Sequence, residues 1–526
     1  MGDWKRTYLL CGVLVATSIG VGSAWSQPRT PQTSGSSGSS TASASPSPRA
    51  ARQALAARID ALIADSGPEL DGARIGIYVA DSATGQTVYQ RDAAEPFSVA
   101  SVTKVITMAA AVRELGPDYR YQTALLAEEI DADGVIPGDL YLRSRGDPTL
   151  DAADLDALIG DLKRRGVTRV GGRLIIDGGE FDRATSPPHF DEQPDEQAAF
   201  RAPVGAANLE RNAFTVMVRA APEPDQPATV WIEPESRYLV LDSAEVTTAS
   251  RGRDQVSIDS RRQGDQLRVS VSGQVRAGHG LMRLRQRVDD PLLYIGETLR
   301  QRLRERGLRI RKPARLGAVA PEAEVLAQVD SEPLNVLIHA LGKRSDNFVA
   351  EVLLKTLAAE RGSRAQAARA EGRPVAATWA EGVDVVEELL RAQVGLSARS
   401  FRYSNGSGLF DATAFTPAQV GAVLTWAARD PYVGPELMAA LAIAGTDGTL
   451  ARRLDESPAR GRVRAKTGTL AQVSALAGYA LAPARPPLTF VIFLNDHPRR
   501  WRSRQAARDL QDGVAEALIA YLDGQL

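Results

Sequence analysis

Three short segments carry residue types that together do nucleophilic chemistry: Ser101-Val102-Thr103-Lys104, Ser345-Asp346-Asn347 and Lys466-Thr467-Gly468-Thr469. A serine hydroxyl is a poor nucleophile until a base takes its proton, and residues three apart on a helix share a face, so Lys104 is placed to serve Ser101. Arginine keeps its proton in proteins, whereas a buried lysine gives it up. Only seven of the 63 basic residues are lysines, yet the first and third segments each hold one. Desolvation, with Lys466 as a nearby second cation, is expected to lower the proton affinity of Lys104. The backbone N–H groups of Ser101 and Thr469 are expected to form an oxyanion hole. Ser345 is suited to relay a proton toward a leaving group, Asn347 to bond a substrate amide, and Lys466 and Thr467 to bind a carboxylate, with Gly468 and Thr469 completing that strand. Each triplet alone arises by chance, and Ser101 and Ser345 as plain helix caps is the competing reading.

Other chemistries fit poorly. Around Ser407 the run Asn405-Gly406-Ser407-Gly408-Leu409 lacks the first glycine of a nucleophile elbow. The four histidines (His189, His279, His339, His497) fall in no triad or His-Glu-x-x-His pattern, and His339, on an apolar helix, reads as a core residue. No Gly-x-x-x-x-Gly-Lys phosphate loop is present. The single cysteine, Cys11, lies in the N-terminal apolar segment behind Leu10, too bulky for lipid attachment, so neither a thiol nucleophile nor a cysteine-held metal is expected. No cofactor or metal is expected. A formal net charge of −1 supplies no field for steering nucleic acid, which is not an expected partner.

The positioning elements follow from periodicity. Ala51 to Asp65 is amphipathic, Arg74 to Tyr89 alternates as two strands about Asp81–Gly85, and Val102 to Leu115 is apolar on nearly every side, the pattern of a buried helix that Gly116-Pro117 ends. Helices are expected over Leu334–Leu341, Asn347–Leu357 and Ser503–Leu522, and strands over Gly461–Thr469, Val473–Leu481 and Leu488–Asn495. Between them, about Asp118 to Pro321, short strands dominate (Leu174–Asp177, Thr215–Val218, Thr229–Ile232, Tyr238–Leu241, Gln255–Ile258, Leu267–Val271), with helices at Ala153–Arg165 and Pro291–Gly307. The first two motifs lie 244 residues apart, more than a connection within one domain needs. The expected organisation is an α+β catalytic domain, an α/β sandwich from residues 51–117 and 322–526, carrying an inserted, mostly β module over 118–321, in two subdomains.

At the N-terminus, Lys5 and Arg6, the apolar Tyr8–Val21 and small Ser23, Ala24 and Ser26 read as an export signal over residues 1–26, cut after Ser26. An uncleaved membrane anchor is the alternative, though the run is short for a span of about 20 residues. Residues 27–50, rich in Ser, Gly and Pro, read as a disordered tether. An exported protein of the periplasm or cell envelope is expected.

Beyond the triplets, Ser345-Asp346-Asn347-Phe348-Val349-Ala350-Glu351, Asn405-Gly406-Ser407-Gly408-Leu409, Thr416-Pro417, Gly445-Thr446-Asp447-Gly448-Thr449-Leu450 and Ala465-Lys466-Thr467-Gly468-Thr469-Leu470 resemble blocks of the class C low-molecular-mass penicillin-binding proteins, the D-alanyl-D-alanine carboxypeptidase/endopeptidases. Leu140-Tyr141-Leu142-Arg143 and Gly146–Leu150 resemble the inserted region of that family. The resemblance covers about Ala51 to Leu526, and departs at Val99-Ala100, where Pro-Ala is common. It implies the penicillin-binding, serine β-lactamase-like transpeptidase fold, peptidoglycan stem peptides as substrates, an acyl-enzyme on Ser101 and covalent inhibition by β-lactam antibiotics. The family has its large insertion between the first two motifs, where class A β-lactamases have a short segment. The alternatives are a serine β-lactamase or esterase, for which Glu387-Glu388-Leu389-Leu390-Arg391 lacks the Glu-x-x-Leu-Asn water activator, and a silent envelope-binding module.

Overall fold

The computed structural model describes residues 47–192, 196–397 and 399–526, so the expected signal and most of the tether fall outside it. The first helix, Pro48–Ala64, takes in the last residues expected in the tether: the Ser47 hydroxyl accepts from the Ala50 N–H and proline opens the first turn.

The central sheet has six strands in the order Thr87–Arg91, Arg74–Asp81, Arg485–Asn495, Val473–Ala482, Val463–Leu470, Ala442–Ile443. All its neighbours are antiparallel, and Arg74–Asp81 pairs along its whole length with Arg485–Asn495, Ile77 opposite Ile492. The two strands at its heart read Val-Ser-Ala-Leu-Ala-Gly-Tyr-Ala and Leu-Thr-Phe-Val-Ile-Phe-Leu-Asn, nearly continuous apolar runs, because both faces are covered. Helices Pro48–Ala64 and Trp501–Leu522 cover one face through Leu55, Ile59, Val514 and Leu518. The other face carries a helical layer centred on Thr103–Leu115, whose residues Thr103 to Val112 are all buried. Gly116 ends that helix at φ 90°, a conformation glycine tolerates.

Residues 122–330 build separate sheets around their own core of Leu125, Leu158, Val216 and Ile295. One is five-stranded, and its edge strand Glu324–Asp330, beyond the expected boundary at 321, pairs with Gln122–Ala127. The strand expected from Tyr238 begins at Leu239 and runs to Ala249, parallel to Gln266–Arg276.

His339 departs from expectation. The buried stripe of Leu334–Arg344 is Leu334, Leu337, Ile338 and Leu341, and His339 points away from it and is exposed. Four further helices between Ser363 and Ala440 complete the helical layer.

Candidate active site

Ser101 sits in a short 3-10 turn, Ala100–Val102, that feeds the buried Thr103–Leu115 helix. The lead-in is pinned from the central sheet: Asn495 accepts from the Ser98 N–H at 2.8 Å and donates to the Ser98 carbonyl at 3.0 Å. Ala100 adopts φ 46°, a left-handed conformation costing a non-glycine residue roughly 1 kcal/mol or more, held by surrounding packing. The Thr103 hydroxyl donates to the Ala100 carbonyl at 2.7 Å, and Gly468 approaches so closely that a β-carbon would lie 2.8 Å from the Val99 carbonyl oxygen. That absence of a side chain seats the third motif's strand against the Ser101 turn.

Lys104 is fully buried, and its Nζ has three partners at 2.8 Å: Ser101 Oγ, Asn347 Oδ1 and the Ser407 carbonyl oxygen. The last two only accept. A neutral amine has two N–H groups for them and one lone pair, which then faces the only partner able to donate, the Ser101 hydroxyl. Burial lowers the Lys104 pKa to about 7, against the opposing pull of Glu351 and Asp346. Desolvation is therefore the cause, as expected, while the like-charge effect expected from Lys466 is felt by Lys466 itself: burial and then the Lys104 charge push it well below its usual value.

Ser345 closes the Leu334–Arg344 helix at φ 59°, and its hydroxyl accepts from Lys466 Nζ at 2.8 Å; Lys466 also donates to the Thr467 carbonyl at 2.7 Å. Neither Ser101 nor Ser345 caps a helix through its hydroxyl, although Ser345 is the C-cap of Leu334–Arg344 through its backbone N–H, which donates to the Ala340 carbonyl. The cap of the next helix is Asp346, which accepts from the Val349 N–H at 3.2 Å and pairs with Arg211 at 3.3 Å. Asn347 opens that helix; besides accepting from Lys104, it donates through Nδ2 to the Phe200 carbonyl at 3.2 Å, which orients the amide. Thr467 donates to Thr449 Oγ1 at 2.8 Å.

Ser101, Lys104 and Asn347 thus form one hydrogen-bonded group, and Ser345, Lys466 and Thr467 a second, which the charge of Lys104 reaches through Lys466. Three further contributors had no role in the sequence reading. Ser407 acts through its carbonyl, Glu351 holds the Ser407 turn, and Thr449 meets Thr467. Glu351 was detectable in principle, lying four residues, one helical turn, beyond Asn347.

Residues 55–519 match the D-Ala-D-Ala carboxypeptidase 3 (S13) family. The chain is 33% identical over 481 residues to a D-alanyl-D-alanine carboxypeptidase of Actinomadura sp. (strain R39), covering 89% of this chain and 85% of the relative. It is similar in structure to penicillin-binding protein 4 (dacB) of Haemophilus influenzae, with a TM-score of 0.72 and 25% identity over 86% of this chain and 99% of that one. The same Haemophilus protein complexed with a β-lactam superposes with a TM-score of 0.67, 24% identity and coverage of 85% and 98%.

Proposed function

The chain belongs to the D-Ala-D-Ala carboxypeptidase 3 (S13) family and is a serine-type D-Ala-D-Ala carboxypeptidase, and from that premise we propose that Ser101 is its nucleophile and Lys104 its base. Ser101 Oγ attacks the carbonyl carbon of the penultimate D-Ala while its proton passes to the lone pair of Lys104 Nζ. The oxyanion is received by the Ser101 and Thr469 N–H groups. The C–N bond then breaks, the nitrogen of the departing D-Ala takes up the proton through Ser345, and water cleaves the ester to return the Ser101 hydroxyl. Lys466, Thr467 and Gly468 receive the substrate carboxylate, whose charge stabilises a proton on Lys466, and Asn347 holds a substrate amide. The observation that carries this reading is the three-partner geometry of Lys104, which a neutral amine satisfies completely.

The substrates are peptidoglycan stem peptides ending in D-Ala-D-Ala, and β-lactams acylate Ser101 as covalent inhibitors, in keeping with the Haemophilus relative solved with a β-lactam. Residues 118–321, extended to Asp330 by the sheet pairing, form an inserted module that places the enzyme on its substrate or a partner. The protein acts outside the cytoplasm after removal of residues 1–26. Among the described residues no helix is long and apolar enough to cross a membrane.

The pH dependence tests the base. With a Lys104 pKa of about 7, the amine is protonated below that pH, its lone pair is lost, and acylation by a fluorescent penicillin should fall about tenfold per pH unit; above it the rate should level off. A rate unchanged from pH 5 to 8 would remove Lys104 from this role.

A further inference from the structure

The helix Asn347–Arg361 carries Asn347, Glu351 and Lys355 at successive four-residue spacings, hence on one stripe. Asn347 meets Lys104. Glu351, 1% exposed, accepts from the Ser407 N–H at 2.8 Å, the Gly406 N–H at 3.2 Å and Trp379 Nε1 at 3.1 Å. Lys355 Nζ lies 3.9 Å from the Trp379 ring centroid and donates to Asp182 at 2.5 Å and to the Ala184 carbonyl at 2.7 Å. Trp379 is thereby clamped between the two charged residues, its N–H on one and its ring face on the other.

A buried carboxylate is expensive unless its lone pairs are filled. Here three N–H donors converge on it, and two belong to the turn whose Ser407 carbonyl takes an N–H of Lys104. The same turn is tied by the Thr107 hydroxyl, which donates to the Gly406 carbonyl at 2.7 Å. We propose that Glu351, which touches neither nucleophile nor substrate, is a positioning residue for Lys104, acting through the Ser407 carbonyl and through its negative charge. This rests on Lys104 being the base.

The charged groups facing this pair are few. Lys104 has Glu351 and Asp346 as carboxylate neighbours and Lys466 as the second cation; Glu351 faces Lys104 and the buried Tyr403, whose hydroxyl is engaged with Thr107 at 2.8 Å. Lys355 is neutralised by Asp182. Burial raises the proton affinity of Glu351, and the Ser407 and Gly406 bonds and the Lys104 charge oppose it.

The test is the pH profile of acylation by a fluorescent penicillin in the full chain and in Glu351→Gln, with thermal melting as the check on folding. Glutamine turns an N–H toward one of the three donors and removes the charge that raises the Lys104 proton affinity. The plateau rate should fall, by up to about 100-fold for a displacement near 1 Å, and the acid limb should move to lower pH. A merely structural Glu351 would lower the plateau with the limb in place, and that result in a folded variant overturns the proposal. If Glu351→Gln does not melt cooperatively, Trp379→Phe decides: it removes one donor yet leaves the Glu351 charge in place and less compensated, so its limb should move the opposite way, to higher pH, an unmoved limb being contrary. A wild-type profile without a limb near 7 would instead sink the base assignment, a failure visible before any variant is made.

Discussion

Lys104→Arg is expected to lower acylation by about 10³-fold or more, although it preserves the formal charge. General bases contribute typically 10²–10⁴-fold, and arginine cannot surrender a proton near neutral pH. The geometry adds a second loss. Lys104 Nζ is matched to three partners at 2.8 Å inside a fully buried pocket, and a branched guanidinium presents five donors and no lone pair to Ser101. Labelling by fluorescent penicillin, run beside thermal melting, checks this; near-normal labelling of a folded Lys104→Arg protein would remove Lys104 as the base.

Gly408→Ala should be nearly as damaging from outside the motifs. Gly408 lies at φ 72°, and a β-carbon there would run into the Ala100 carbonyl oxygen and the Thr103 hydroxyl directly beneath the nucleophile turn. Backbone cannot rotate aside as a flexible side chain does, so the collision must displace either the Ser407 turn or Ser101. Overpacking of this kind costs about 3 kcal/mol or more when backbone must shift, and a 1 Å displacement of the nucleophile reduces rate by on the order of 100-fold. Melting and acylation measured on the same preparation check both effects. Unchanged stability with full labelling would show that the turn yields at no cost.

What the sequence disclosed follows from how local each signal is. Ser101 with Lys104, and Lys466 with Thr467, are legible because neighbouring residues on one turn or one strand share a site by construction. The buried helix Thr103–Leu115 and the strands Val473–Ala482 and Arg485–Asn495 were legible because burial on all sides leaves an unbroken apolar run. Ser407 was not, since a carbonyl oxygen carries no side-chain signature, and the same holds for the Phe200 carbonyl that orients Asn347. Glu351 carries no such signal, because its partners are two backbone amides 55 and 56 residues away and the Trp379 indole N–H, 28 residues away. His339 misled because an apolar neighbourhood in sequence spans two helix faces, and it occupies the outer one. The sheet order, with Arg485–Asn495 inserted between Arg74–Asp81 and Val473–Ala482, is a long-range pairing that composition does not encode.

The fate of the acyl-enzyme tests the account most directly. β-Lactamase and carboxypeptidase both open a β-lactam with a serine, so they separate at deacylation. A β-lactamase of the Glu-x-x-Leu-Asn type needs a carboxylate to activate water. Glu387, at the position that the Glu-x-x-Leu-Asn pattern would require, is exposed, its neighbour Glu388 is exposed and paired with Arg391, and Glu351 is saturated by three N–H donors behind the Ser407 turn. After peptide cleavage D-Ala diffuses away and water enters; after β-lactam opening the leaving group stays tethered and obstructs it. The measurement is release of D-Ala from a peptide ending in D-Ala-D-Ala beside hydrolysis of benzylpenicillin, on one enzyme preparation. Repeated D-Ala release with a persistent penicilloyl group on Ser101 is the predicted result, and rapid multiple-turnover penicillin hydrolysis without D-Ala release would contradict it.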